Sequence, residues 1–211
     1  MARRTKEEAD RTREQVLDAA EQVFLERGIA RATLDDVAQA AGFTRGAVHW
    51  HFGDKLGLFN ALVGRVWLIE EALARRMAAI DGPNALKSLG DALVDALQEL
   101  EADPHQRRLL TVLRLRCEYT DEMGSALARQ RSADILLFEA MQRVFAQAAA
   151  QGQLTSTWHP MIAALAFHSL ATGLVDSWLR SGGSDFSLAR EGAAAIRAFL
   201  ATVAAQDPMQ S

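Results

Sequence analysis

Residues 33–52 contain two short helical patterns separated by a single glycine, in the sequence TLDDVAQAAGFTRGAVHWHF. Thr33 followed by Asp36 resembles a capping box at the start of the first pattern, and Gly42 ends it. Thr44 then offers an N-cap oxygen for a second, equally short helix. Two short helices joined by so tight a turn predict a helix-turn-helix.

The apolar residues of this segment favour the same interpretation. Small Ala38 lets the two helices approach each other, and Val37, Phe43 and Val48 can fill a miniature core. The residues left free to face outward are Thr44, Arg45, Ala47, His49 and Trp50. The alternative is an ordinary helical hairpin with a solvated polar face.

The rest of the chain also has the period of helices. Glycine and proline divide it into segments of helical length, and none alternates strictly between apolar and polar residues. One apolar face of the first segment contains Val16, Ala19, Ala20, Val23 and Phe24. A long pattern runs from Lys55 to the sequence DGPN at 81–84, where it must end. We therefore expect an all-α protein of about nine helices.

The composition limits the class of protein. The chain has 211 residues and is 49% hydrophobic, enough for a sizeable core. A single cysteine, Cys117, excludes an internal disulfide and indicates a reducing compartment. The longest apolar run, 161–175, is too short to span a bilayer comfortably, and the N-terminus lacks the apolar region of a secretory signal. We expect a cytoplasmic protein.

The net charge of −4 argues against nucleic acid unless the charges are segregated. Residues 1–55 hold nine Lys and Arg against ten Asp and Glu, so this segment is not basic overall. Its basic residues are grouped, however. The first group lies in residues 1–13, which include five Lys and Arg. The second lies in residues 44–53, which include Arg45 and two histidines and no acid. Contacts with phosphates would have to come from these two patches.

Catalytic and metal chemistry are not supported by the spacing of polar residues. His49 and His51 point about 200° apart on a helix and cannot both bind one metal ion. His168 and Asp176 mark the ends of a polar stripe, about 12 Å apart at the helical rise, too far for a hydrogen-bonded triad. No nucleophile elbow or phosphate-binding glycine loop is present. The sequence predicts no enzyme, metal or cofactor.

A family resemblance supports the helix-turn-helix. The sequence TLDDVAQAAGFTRGAVHWHFGDK, preceded by RTREQVLDAAEQVFLERG, closely resembles the DNA-binding domain of TetR-family repressors. The segments RRTKEEADRTREQ and CEYTDEM (117–123) look like the AcrR-type multidrug-efflux repressors. The resemblance is strong to about residue 65 and loose afterwards. It implies an N-terminal arm and three-helix DNA-binding domain in residues 1–55, and a helical ligand-binding and dimerisation domain in 56–211.

The resemblance also implies roles in binding DNA. Thr33, Lys55 and His51 would contact phosphates, and Trp50 would lie along the sugar-phosphate backbone. The residues near the base edges would be Thr44, Arg45, Gly46, Ala47 and His49. Arg45 is the best candidate for recognising a base, because its guanidinium can donate hydrogen bonds to both O6 and N7 of guanine. The basic N-terminal arm either tracks phosphates or the minor groove, or is a solvated tail.

Polar residues form a stripe on the otherwise apolar segment 160–180, and two interpretations of it are possible. Its residues, His168, Thr172 and Asp176, either satisfy one another in the core or line a ligand pocket. The resemblance implies a large apolar pocket, and Arg114 either pairs with Asp134 or meets an anionic ligand. The candidate ligand-binding residues are Val66, Leu93, Ala96, Leu110, Arg114, Asp134, Leu137, Met141, His168, Ala171, Thr172 and Asp176.

The last two helices, predicted at 160–180 and 187–204, are too apolar for one surface, so we expect them to pack in pairs across a two-fold axis. The candidate interface residues are Leu165, Leu174, Trp178, Ala194, Ile196, Phe199 and Leu200. A homodimer would bind palindromic operator DNA.

Together these features predict a homodimeric repressor that a small hydrophobic or aromatic ligand releases from its operator, controlling a multidrug efflux pump operon. Two alternatives remain: a regulator of catabolic or lipid genes with a narrow ligand, and a helical interaction protein that does not bind DNA.

Overall fold

The computed structural model describes residues 2–117 and 124–205, and these residues are mainly helical. The helices are α1 (Ala2–Arg27), α2 (Leu34–Ala41), α3 (Arg45–Phe52), α4 (Lys55–Ala78), α5 (Ala85–Ala102), α6 (Pro104–Leu115), α7 (Gly124–Ala150), α8 (Pro160–Arg180) and α9 (Ala193–Val203). A π-helical turn, Leu188–Gly192, directly precedes α9. Within the described ranges, β structure is limited to one isolated bridge between Leu154 and Ala204. The predicted all-α fold is confirmed, whereas residues 118–123 of the CEYTDEM segment lie outside the described residues.

The chain packs as two compact units. Unit 1 comprises the described residues of Met1–Trp67 and His105–Gln130, and unit 2 those of Leu68–Pro104 and Arg131–Ser211. The chain passes from the first unit to the second within α4. Unit 1 therefore contains the helix-turn-helix but extends beyond the predicted segment 1–55.

The core of unit 1 explains this larger extent. Apolar side chains of α1, α2, α3 and α4 pack in one cluster, and three residues of α6 join it: Leu109, Val112 and Leu113. The fully buried members from α1 and α4 include Leu17, Phe24, Leu58 and Leu62. Burial of such a side chain contributes about 1.5–3 kcal/mol, so α6 belongs energetically to the unit that carries α2 and α3.

Unit 2 is built around α5, α8, α9 and the π-helical turn, which contact one another. Phe167 of α8 lies between Phe145 and Phe199, with ring centroids 5.7 and 5.8 Å away. Helices α5 and α9 approach closely, because a Cβ atom at Gly90 would lie 2.5 Å from Leu200 Cδ1. Leu200 therefore packs against α5 of its own chain.

Helix α8 is the one described helix that is long and apolar enough to cross a membrane by length and composition alone. It is longer than the run 161–175 considered from the sequence. A core helix of a soluble protein meets the same criterion. Its buried side chains include Ala163, Phe167 and Trp178, and 33% of its most apolar stretch is buried.

Candidate DNA-binding surface

Local hydrogen bonds fix both ends of α2. The Thr33 hydroxyl accepts a bond from the Asp36 backbone N–H at 3.1 Å, and the Thr33 N–H donates to the Asp36 carboxylate at 3.0 Å. The side-chain and backbone hydrogen bonds from Thr33 hold the pKa of Asp36 below its ordinary value. Gly42 then ends the helix with a left-handed φ of 73°, which other residues adopt only with strain. The predicted capping box and turn are both confirmed.

Helix α3 has one buried side and one exposed side. It begins at the N-cap Thr44, whose hydroxyl accepts a bond from the Ala47 N–H at 3.2 Å. Val48 is fully buried in the core of unit 1, while Arg45, Gly46, His49 and Trp50 are exposed. Trp50 is 74% exposed, although it is a large aromatic residue. The residues predicted to face outward therefore form one continuous surface on this helix, with Ala47 half-buried at its edge.

Arg45 is held by a contact that the sequence did not indicate. Its Nη1 donates a hydrogen bond to Asp35 Oδ2 at 2.9 Å, which joins the first residue of α3 to the second residue of α2. Both side chains are largely exposed. The guanidinium predicted to read a base is thus ion-paired with a neighbouring carboxylate.

Aromatic and basic residues meet at the end of α3. The rings of Trp50 and His51 pack edge to face with centroids 4.6 Å apart, and the Arg13 guanidinium lies 5.4 Å from the centroid of Phe52. Burial and the positive charge of Arg13 lower the pKa of His51, against an opposing effect of Asp10. His51 is therefore neutral at neutral pH.

The basic N-terminal segment is part of this arrangement. Its backbone is helical from Ala2 onward as part of α1, and the choice between a DNA-tracking arm and a solvated segment stays a prediction. Arg13 extends from α1 to Phe52 at the end of α3. The segment is therefore an extension of a helix that packs in unit 1.

The structure adds a second role to Lys55. Its ammonium group donates to the carbonyl oxygens of Ile29 and Ala30, each at 3.0 Å. Two of its three N–H groups are therefore occupied by the turn between α1 and α2. The sequence interpretation of Lys55 as a phosphate ligand alone is thus incomplete, because the residue also ties α4 to this turn.

A polar cluster inside unit 1 was missed by the sequence interpretation. Arg65 of α4 forms ion pairs with three carboxylates of α1: Glu14, Asp18 at 2.9 Å and Glu21 at 2.5 Å. Glu21 is fully buried, and His105 Nδ1 of α6 lies 3.1 Å from its second oxygen. Burial alone would lower the pKa of Arg65, but the hydrogen bonds to Glu14 and Asp18 outweigh it and raise that pKa. The spacing of the three acids along one face of α1 is visible in the sequence, but their partner is not.

This cluster is also the candidate metal site among the described residues. Ligand atoms of Asp18, Glu21 and His105 lie within 4.8 Å of one another. The Arg65 guanidinium already bonds to oxygens of both carboxylates, so a cation occupies the position of a metal ion. We interpret the cluster as an ion-pair network that joins α1, α4 and α6.

The single cysteine, Cys117, is a separate matter. Burial raises the pKa of the Cys117 thiol to about 11, which leaves little reactive thiolate at neutral pH.

The predicted ligand-binding residues are distributed over both units. In unit 1, Val66 is buried and Leu110 and Arg114 are half-buried. In unit 2, Leu93, Met141 and Ala171 are buried, and the half-buried candidates are Ala96, Asp134, Leu137, His168, Thr172 and Asp176. The His168 ring packs edge to face on Phe138, with centroids 5.6 Å apart. The aromatic contact gives His168 a packing role within unit 2, and the ligand-binding role stays a prediction.

Unit 2 also has an open surface recess of about 470 Å³ at the turn before α9. It is lined by Glu101, Gly183, Ser184, Asp185, Phe186, Ser187, Arg190 and Glu191, none of which was a ligand-binding candidate. Glu101 accepts hydrogen bonds from the Ser187 hydroxyl at 2.9 Å and the Ala189 N–H at 2.6 Å. Its carboxylate therefore stabilises the π-helical turn.

The structure corrects three of the predicted interface residues. Trp178, Ile196 and Leu200 are buried within the single chain, with Trp178 only 1% exposed, so they are unavailable to a partner subunit. Leu165 and Ala194 are exposed, and Leu174 and Phe199 are half-buried. Met161 and Ile162, which the sequence interpretation did not select, are exposed beside Leu165 at the start of α8. The apolar patch of α8 therefore begins earlier than predicted.

Two known domain families match the chain. Residues 16–62 match the family described as bacterial regulatory proteins, tetR family. Residues 84–204 match the family described as MAATS-type transcriptional repressor, C-terminal region. The first match includes the whole helix-turn-helix, and the second extends from the start of α5 to the end of α9.

Whole-chain relatives support these matches. The HTH-type transcriptional repressor BepR of Brucella suis biovar 1 is 39% identical over 92% of this chain and 92% of its own length. The crystal structure of NalD, the secondary repressor of the MexAB-OprM multidrug efflux pump in Pseudomonas aeruginosa, has 35% identity and a TM-score of 0.81 over 95% of this chain and 99% of NalD. The complex of Stenotrophomonas maltophilia SmeT with triclosan has 30% identity and a TM-score of 0.77, covering 95% and 94%. These relatives are transcriptional regulators and not enzymes. The chain therefore belongs to the TetR family of transcriptional repressors.

Proposed function

We propose that this repressor is a homodimer that binds palindromic operator DNA, releases it when a small hydrophobic ligand binds, and controls a multidrug efflux pump operon. The observation that carries the proposal is the exposed surface of α3, where Arg45, His49 and Trp50 extend from a helix whose opposite side is fixed by Val48. A short exposed helix after a tight turn has the shape of a major-groove reader. In this proposal Arg45 reads a guanine, the neighbouring residues Thr44, Gly46 and Ala47 approach base edges, and Thr33, His51 and Lys55 contact phosphates.

Dimerisation would place the α3 helices of two subunits on the same DNA duplex. Met161, Ile162 and Leu165 of α8 are between 38% and 54% exposed, and a cluster of exposed large apolar side chains favours an interface. Ala194 of α9 would add a small exposed side chain to the same surface. A two-fold axis would place two recognition helices about 34–36 Å apart, or a multiple of a duplex turn, which requires a palindromic operator.

The proposed ligand would bind in the helical C-terminal domain. Leu93, Ala96, Leu137, Met141 and His168 offer aliphatic, thioether and aromatic contacts of the kind that suit hydrophobic aromatic compounds. SmeT has been crystallised with triclosan, and NalD and SmeT are repressors of multidrug efflux pumps. These relatives favour an efflux role over the narrow-ligand regulation of catabolic or lipid genes.

Helix α4 is the candidate element for the response. It is a single helix of 24 residues whose first part belongs to unit 1 and whose last part belongs to unit 2. A ligand that displaces this helix would change the spacing of the two recognition helices. Because the operator would be chromosomal, the proposed function places the protein in the cytoplasm.

Effector titration tests this proposal. The full-length protein is bound to labelled DNA from upstream of its own gene, and triclosan and other hydrophobic aromatic compounds are added. We expect micromolar concentrations to release the DNA and Ala96→Trp to blunt the release while leaving repression intact. By linkage, an inducer must bind the DNA-bound protein more weakly, by about 1–3 kcal/mol. Equal affinity of a compound for free and operator-bound protein would exclude it as an inducer, and failure of every compound tested would contradict the efflux proposal.

A further inference from the structure

Asp35 occupies an unusual position for a carboxylate. It lies in the first turn of α2, and its Oδ2 accepts a hydrogen bond from Arg45 Nη1 at 2.9 Å. The two side chains are 62% and 68% exposed, respectively. A negative charge beside a surface that binds phosphates weakens binding to any DNA. The residue therefore needs a role that offsets this cost.

The helix dipole favours an acid in the first turn of α2, but neither this effect nor helix capping explains why the Asp35 side chain bonds to α3. An ion pair whose two groups are mostly in water contributes little to folding. The cap of α2 is already complete, because Asp36 bonds to the backbone and the hydroxyl of Thr33 and also pairs with Arg27. Asp35 takes part in none of these capping contacts, and its side chain bonds to Arg45 of α3 instead.

Its contact with Arg45 has a direct consequence for reading DNA. An arginine side chain loses rotamer entropy when it is fixed on a base. A partner that holds the guanidinium before binding removes part of that cost. The bond to Asp35 uses one of five N–H groups of Arg45, so four remain for the two acceptors of guanine.

We propose that Asp35 is a specificity-determining positioning residue, which orients the Arg45 guanidinium toward one base pair of the operator. This inference rests on the proposed reading of a base by Arg45. It gives Asp35 two opposite effects. The carboxylate weakens binding to DNA of any sequence through its charge, and it strengthens discrimination at one base pair through Arg45.

Asp35→Asn separates the two effects, because the amide keeps the size of the side chain and removes its charge. The probe is a duplex selected from a randomised library by the wild-type, full-length protein, compared with the same duplex carrying single base-pair changes and with a scrambled duplex. We expect Asp35→Asn to tighten binding to the scrambled duplex and to reduce discrimination at one base pair in each half-site by about fivefold, because it removes the exposed positioning contact and leaves the contact of Arg45 with the base in place. Asp35→Glu, which keeps the charge, should retain part of the discrimination.

Glu26→Gln is the matched control, because it removes the same charge from an exposed residue of α1 whose partner is Gln22. It should leave discrimination at every base pair unchanged. Thermal melting of each variant shows whether the fold is intact.

A double-mutant cycle decides whether Asp35 acts through Arg45. Arg45→Ala should abolish discrimination at the same base pair, and adding Asp35→Asn to it should change that discrimination by less than about twofold. If Arg45→Ala loses discrimination and Asp35→Asn does not, Asp35 has no positioning role while the proposed function stands. If Arg45→Ala discriminates as well as the wild type, base reading by Arg45 fails and the inference fails with it.

Discussion

Removal of Arg65 should destabilise unit 1 far more than its position near the surface suggests. Arg65 is 22% exposed, and one of its partners, Glu21, is fully buried. Arg65→Ala leaves that carboxylate without its principal cation. Removing one partner of a buried pair costs about 3–5 kcal/mol. We expect the lower end of this range, because His105 and Arg108 also lie near the Glu21 carboxylate, at 3.1 and 3.8 Å.

Arg76→Ala is the matched control. Arg76 also faces two carboxylates, Asp95 at 3.1 Å and Glu99 at 3.6 Å, but it is 44% exposed and both acids are more exposed still. Its removal should cost about 0–1 kcal/mol. The contrast between the two arginines isolates the effect of burial from that of charge pairing.

Urea unfolding at one fixed protein concentration measures both losses, since association would otherwise change apparent stability. Hydrogen exchange of α1 and α4 gives a local measurement, and a loss of about 3 kcal/mol should accelerate it about a hundredfold. A second variant, Glu21→Leu combined with Arg65→Met, removes both charges and should recover most of the stability. Equal, small losses for Arg65→Ala and Arg76→Ala would show that the burial of Glu21 does not raise the cost of removing Arg65.

Four further predictions concern the DNA-binding unit and the proposed dimer. Leu165→Asp should abolish operator binding by placing a carboxylate in the interface, with unit 1 still folded; a dimer persisting in sedimentation at micromolar concentration would contradict it. A phosphate near His51 would raise its lowered pKa, so operator affinity should rise as pH falls from about 7.5 to about 6, and His51→Gln should reduce that rise in a binding titration; an unchanged pH profile would exclude the contact. Gly57→Ala should weaken operator binding, because its Cβ would lie 2.0 Å from the Phe52 carbonyl oxygen and displace the end of α3, whereas unchanged affinity would mean that this junction does not position the helix. Lys55→Ala should weaken binding to all sequences alike and also lower the melting temperature, since its charged hydrogen bonds contribute about 1.5–3 kcal/mol each; an unchanged melting temperature would leave only a phosphate role.

The helix-turn-helix was predictable because its determinants are local. The capping box of Thr33 and Asp36 lies within four residues, and Gly42 supplies its own left-handed turn. Thr44 then caps α3 through its hydroxyl alone, which accepts a hydrogen bond from the Ala47 N–H. Such features are encoded by neighbouring residues and do not depend on the rest of the fold.

The contacts of a residue with an element distant in the chain could not be predicted from the sequence. Trp178 and Ile196 are apolar, as an interface requires, but the sequence does not tell which apolar side of α8 or α9 is covered by the same chain. The phosphate contact of Lys55 stays a prediction, but its hydrogen bonds to Ile29 and Ala30, 26 and 25 residues away, have no signal in the sequence. The Arg65 cluster was missed for the same reason, since its carboxylates are at least 44 residues distant. Long-range contacts of this kind have no local pattern.

The proposed function depends on recognition of a specific DNA sequence by the surface of α3. The direct measurement is the Kd of the wild-type protein for DNA from upstream of its own gene and for a scrambled duplex of equal length, at one physiological salt concentration. We expect the upstream DNA to bind at least about 10³-fold more tightly, the lower limit for specific repressors, and Arg45→Ala to reduce this ratio. Equal Kd values for the two duplexes would exclude sequence-specific binding to this DNA.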